Sequence, residues 1–159
     1  MDNGMTMSET VERVKLPEKY QDKDYLGEYY GTVEWSVKGI YCGYVGWFDG
    51  NAANLMPVSD REYQAVLRDL IGTEKLMEKI RTCIETEQYQ LALQLLEIAG
   101  NEEAGGGEQA ACNAGKKQAE DREQTECRKL KKEALLGRAR QMTSANARHY
   151  LIASAKNLG

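Results

Sequence analysis

The spacing of apolar residues is the feature that most narrows what this chain can fold into. From Tyr63 to Leu96, and again from Leu130 to Leu158, they recur at steps of three and four, the interval that gathers side chains on one face of a helix. No segment alternates apolar and polar residues long enough to make a strand. The expected fold is all-α, a bundle of about six helices. Ser59-Asp60-Arg61-Glu62 reads as a capped helix start, with Tyr63, Val66, Leu67 and Leu70 as the buried stripe and Gly72 as the stop. A helix from Thr73, a candidate cap, to Thr86 presents Leu76, Met77, Ile80, Cys83 and Ile84. The next, from Gln88 to Ala99, buries Tyr89, Ala92, Leu93 and Leu96, and the short link between the two predicts antiparallel neighbours. Tyr89-x-x-Ala92 gives these hairpins a tetratricopeptide-like character. Only one or two such units fit, whereas repeat stacks need about three, so further burial has to come from elsewhere in the chain or from another chain.

Two more helices are expected near the end, one carrying Leu130, Ala134, Leu135, Ala139 and Met142, the other Ala147, Tyr150, Leu151, Ser154 and Leu158. Ser144-Ala145-Asn146 offers the cap between them. Residues 1–24 are polar, with Pro17 in their midst, and read as an arm that needs another surface to order it. Residues 25–159 form the domain proper, with a flexible insertion expected over about 100–126, where glycine, alanine and charge replace the apolar periodicity. Gly105-Gly106-Gly107 lacks the following Lys-Ser/Thr of a phosphate loop and reads as a linker.

The block from Tyr25 to Leu55 stands apart. Tyr25, Tyr29, Tyr30, Trp35, Tyr41, Tyr44, Trp47 and Phe48 are eight of the chain's twelve aromatic residues. Val33, Val37, Ile40, Tyr41, Tyr44 and Phe48 keep helical spacing. Gly39, Gly43 and Gly46 each cost a helix interior about 1 kcal/mol against alanine, which implies close approach by a neighbour or a break near Gly46. Aromatics on several faces cannot all be hidden in one small bundle, so an interface or pocket wall is expected here.

Composition closes off several function classes. A net charge of −4 and the intermixed signs of Lys116 to Glu133 lack the one-sign patch of a nucleic-acid site. No apolar run approaches the roughly 20 residues of a membrane span. Met1 to Val14 lacks the apolar centre of a signal peptide, so the expected location is cytoplasmic. Cys42, Cys83, Cys112 and Cys127 form no Cys-x-x-Cys pair and are expected as reduced thiols, Cys83 in the core. The single histidine, His149, has no ligand-spaced partner, so neither a metal site nor a catalytic residue is expected in this chain.

The residues of the aromatic block also carry a resemblance. Tyr29-Tyr30-Gly31-Thr32-Val33, Ile40-Tyr41 and the run Tyr44-Val45-Gly46-Trp47-Phe48-Asp49-Gly50-Asn51-Ala52-Ala53-Asn54-Leu55 resemble the opening of the dimerisation domain of alkyl and aryl sulfatases of the metallo-β-lactamase superfamily. Asn146-Ala147-Arg148-His149-Tyr150-Leu151 is similar to that domain's Asn-Ala-Arg-x-x-Tyr-Leu ending. Full-length members join a hydrolase domain holding two zinc ions, this helical domain, and a carboxy-terminal domain like sterol carrier proteins. The His-x-His-x-Asp-His motif of the zinc domain does not occur here. Two positions depart from the pattern: Glu34-Trp35-Ser36 stands where relatives commonly have Ser-His-Asn, and Ala52 where they have proline.

The resemblance implies a dimerisation module with no catalysis of its own, pairing as a homodimer and contacting a metallo-β-lactamase-type domain. The alternatives are a fragment or trans-acting subunit that helps close a sulfatase active site, or a tetratricopeptide-like adaptor that binds a peptide. Tyr30, Trp35, Trp47, Asn51 and Asn54 are the candidates for a pocket or interdomain contact, and Val37, Tyr41, Tyr44 and Phe48 for the dimer interface.

Overall fold

The structure, a computed structural model, describes residues 4–100 and 114–158, with side chains described from residue 122 onward in the second span. Among the described residues the regular structure is entirely helical. The α-helices are α1 (Met7–Arg13), α2 (Glu18–Gln21), α3 (Val33–Val45), α4 (Asp60–Ile71), α5 (Thr73–Glu85), α6 (Tyr89–Ala99), α7 (Ala114–Gln141) and α8 (Ala145–Lys156). They fall into two compact units, one of Met1–Pro57 with Met142–His149, the other of Val58–Gln141 with Tyr150–Gly159.

In the second unit the core lies between α5, α6 and α7. All five residues expected to face inward from α5, Leu76, Met77, Ile80, Cys83 and Ile84, are buried, and Ala92 and Leu96 meet them from α6. Tyr89 and Leu93 pack at its margin. Small residues let α7 approach closely: Ala134, Gly137 and Ala139 are buried, and the Tyr89 ring lies over Gly137 where a β-carbon would stand. Cys127 is buried beside Met77, sulfur to sulfur 3.7 Å, and burial, reinforced by Glu123 and Glu126, raises its thiol above the ordinary range. Arg81 on α5 holds Glu126 on α7 at 2.6 Å, and Lys131 on α7 holds Glu97 on α6 at 2.7 Å. Both pairs are solvent-exposed, so they set register more than they add stability.

Three expectations change. The insertion foreseen over 100–126 is helical from Ala114 onward, because the charged stretch leads into the inward residues Cys127, Leu130 and Ala134 and shares their helix; the Gly105-Gly106-Gly107 linker and Cys112 lie outside the described residues. Thr73 is the first helical residue of α5, and the cap is Gly72, whose φ of +81° lets α4 end and α5 begin at one residue. Of the stripe expected on α4 only Leu67 turns inward. Tyr63, Val66 and Leu70 are open to solvent, because Leu67 shares its face with Gln64 and Arg68, the Arg68 guanidinium reaching the Ala99 carbonyl at the end of α6.

Candidate interaction surface

The first unit is built on α3. Thr32 caps it by accepting from the Trp35 amide at 3.1 Å, and Gly46, with φ +91°, ends it. Nothing lies within 4 Å of where a β-carbon would stand on Gly39 or Gly43. Of the two readings of the glycines, the break at Gly46 therefore holds. The amino-terminal arm supplies α1, closed by a capping box between Thr6 and Glu9. It lies against α3, where the Tyr41 hydroxyl donates to the Met5 carbonyl at 3.1 Å. Val37 and Tyr41, expected at a dimer interface, are accordingly buried within the unit; Tyr44 is exposed and Phe48 half-buried.

Past Gly46 the chain forms a turn organised by one carboxylate. Asp49 accepts from the Asn51 main-chain amide at 2.9 Å and from the Asn54 side-chain amide at 2.6 Å, while the Asn51 side chain caps a single 3₁₀ turn by accepting from Ala53 at 3.1 Å. Those two donors, the Asn51 amide first, hold the Asp49 carboxyl below its ordinary range. Asn51 and Asn54 are thus brought together, as sites expected from sequence, by a residue that sequence reasoning left out. The signal for it was the Asx-turn pattern Asp49-Gly50-Asn51. Trp47, tilted 57° against the Phe48 ring with ring centres 5.5 Å apart, leaves 71% of its surface exposed.

Tyr25, Tyr30 and Tyr44 are equally open, and Trp35 is 44% exposed. The segment bearing Tyr29 and Tyr30 is fastened by the start of α8: the Ala145 amide donates to the Tyr29 carbonyl at 2.6 Å, and the Ser144 hydroxyl to the Tyr30 carbonyl at 2.5 Å. The aromatic block is therefore a tethered segment with most of its rings outward, which in a monomer leaves much apolar surface in water. In the second unit an open groove of about 520 Å³ is lined by Gln90, Leu93, Lys131, Leu135, Tyr150 and Leu158, among others. Among the described residues no three His, Cys, Asp or Glu side chains converge as metal ligands, and no helix is long and apolar enough to cross a membrane.

Residues 6–159 match the family described as alkyl sulfatase dimerisation. The chain belongs to that family. Over 73 residues it is 47% identical to a linear primary-alkylsulfatase of Pseudomonas sp. (strain ATCC 19151), a stretch covering 45% of this chain and 14% of that one. Over 97 residues it is 33% identical to an (R)-specific secondary-alkylsulfatase of Pseudomonas sp., covering 60% of this chain and 15% of the relative. The solved structure of the stereoselective inverting sec-alkylsulfatase Pisa1 from Pseudomonas sp. superposes with a TM-score of 0.79 at 25% identity, covering 99% of this chain and 22% of that one. The alkyl sulfatase dimerisation chain thus spans only a small part of the length of each of these enzymes.

Proposed function

We propose that this chain is the dimerisation module of an alkyl-sulfatase-like hydrolase and contributes association rather than catalysis. The observation that carries the reading is the family match over residues 6–159, joined to large apolar side chains on α4 and in the aromatic block that the chain itself leaves uncovered. Burying such surface is what drives association. The two zinc ions expected of full-length relatives do not fit this chain's donor set, with one histidine and no ligand cluster among the described residues, and belong in this reading to a separate hydrolase domain. Sedimentation equilibrium at micromolar concentration tests the proposal: a dimer is expected, and a stable monomer overturns it.

A second reading rests on the turn. The Asp49-Asn51-Asn54 network orders the turn that follows the exposed Trp47, which suits a surface that seats against a hydrolase domain and helps close its active site. Mixing the chain with a separately expressed zinc-hydrolase domain from an alkylsulfatase relative is expected to give binding or a gain of sulfatase activity. The absence of both removes this reading and leaves the first untouched.

A further inference from the structure

The outward stripe of α4 has no partner in the second unit, although α4 is among the most clearly amphipathic segments of the chain. Its packed face is Gln64, Leu67 and Arg68, and it has no fully buried residue. Tyr63, Val66 and Leu70, at successive steps of three and four, form the open face, Leu70 with 76% of its surface exposed. Val58, just ahead of the helix, is also exposed.

We infer that this face pairs with the same face of a second copy, α4 against α4 and antiparallel, so that Tyr63 of one chain covers Leu70 of the other. The inference rests on the dimerisation reading and deepens it by naming the surface. An isologous contact must be self-complementary. The exposed residues Tyr63, Val66 and Leu70 meet that demand: a two-fold axis close to Val66 sets it against its own copy and sets Tyr63 of each chain against Leu70 of the other. Such a pairing covers only a few side chains of each copy, short of the roughly 800 Å² per partner that a standard interface buries. The contact by itself therefore gives a weak, concentration-dependent dimer, and further surface has to add to it in a tight one. Glu62 and Asp69, one heptad apart, edge the stripe on the same side. In the antiparallel pair the Glu62 of one copy comes beside the Asp69 of the other. That repulsion is small between exposed groups, and it marks the register.

Sedimentation velocity on the full chain across a concentration series, with circular dichroism on every variant, tests the pairing. Leu70→Asp and, independently, Tyr63→Ser are expected to weaken dimerisation at least tenfold with helicity unchanged, since both side chains are exposed in the single chain. Glu62→Lys is expected to tighten it several-fold, by setting a cation beside the partner's acid at both ends of the pair. A wild-type chain that stays monomeric overturns the dimerisation reading itself. A wild-type dimer unaffected by both removals overturns only the α4 interface. Loss of dimer in the removals without tightening in Glu62→Lys overturns the antiparallel pairing.

Discussion

The Ser144 hydroxyl lies 2.5 Å from the main-chain carbonyl of Tyr30, a residue 114 positions earlier, and donates to it while accepting from the Ala147 amide at 3.3 Å. One buried side chain thus caps α8 and ties down the segment that carries Tyr29 and Tyr30. Ser144→Ala removes the cap and strands a carbonyl. The expected loss is about 1–3 kcal/mol of stability, read from urea denaturation. A change below about 0.5 kcal/mol would show that neither bond contributes.

Gly137 sits in the interior of α7, where alanine would normally gain about 1 kcal/mol of helix propensity. Here the added methyl meets the Tyr89 ring. Gly137→Ala is therefore expected to destabilise by about 1–3 kcal/mol, the overpacking outweighing the propensity. Combined with Tyr89→Leu, the loss should be clearly less than additive. Additive losses would place the strain elsewhere.

Asp49 gives the turn after α3 a pH dependence. Its carboxyl is lowered by the Asn51 amide and the Asn54 side chain, so the stabilisation is present above the ordinary aspartate value of about 3.9 and is lost as pH falls through the lower folded value. Carboxyl NMR titration should find Asp49 below that ordinary value, and Asn54→Ala should bring it part of the way back up. An unchanged titration in Asn54→Ala would mean that the Asn51 amide alone sets it.

The thiols should separate by burial. Among the described cysteines, Cys42 is exposed and should react with an aromatic disulfide reagent before Cys83 and Cys127, which should stay protected until the protein unfolds. Burial raises the Cys127 thiol, so its contribution to stability is full below the unfolded value near 8.5 and declines as pH rises through the higher folded value. Cys127→Ala should flatten that alkaline decline in thermal unfolding followed by circular dichroism. The same slope in the variant would exclude Cys127 as its source.

The helices from α3 onward were legible in the residues alone, as α5 shows best: every side chain of its stripe from Leu76 to Ile84 points into the core. The same reasoning applied to Tyr63, Val66 and Leu70 placed them correctly on one face and then assumed that the face was covered. Periodicity reports which side chains share a face, whereas coverage depends on how the helix is rotated against its neighbours. On α4 the rotation adopted turns Leu67 inward and brings Arg68 to the Ala99 carbonyl. The aromatic block repeats the lesson in reverse. Val37 and Tyr41 are buried within their unit, where α1, drawn from a segment too polar to show a core stripe, lies against α3 and the Tyr41 hydroxyl reaches the Met5 carbonyl.

Local chemistry in this chain was written residue by residue: the all-helical class, the stops at Gly46 and Gly72, the caps at Ser59 and Ser144, and the motif run from Tyr44 to Leu55. These depend on backbone preference and on hydrogen bonds within a few positions, which neighbouring residues suffice to specify. Burial was settled by contacts between distant segments, Tyr30 with Ser144, Tyr41 with Met5 and Tyr89 with Gly137, because a face is hidden or open only once another element has taken its place beside it.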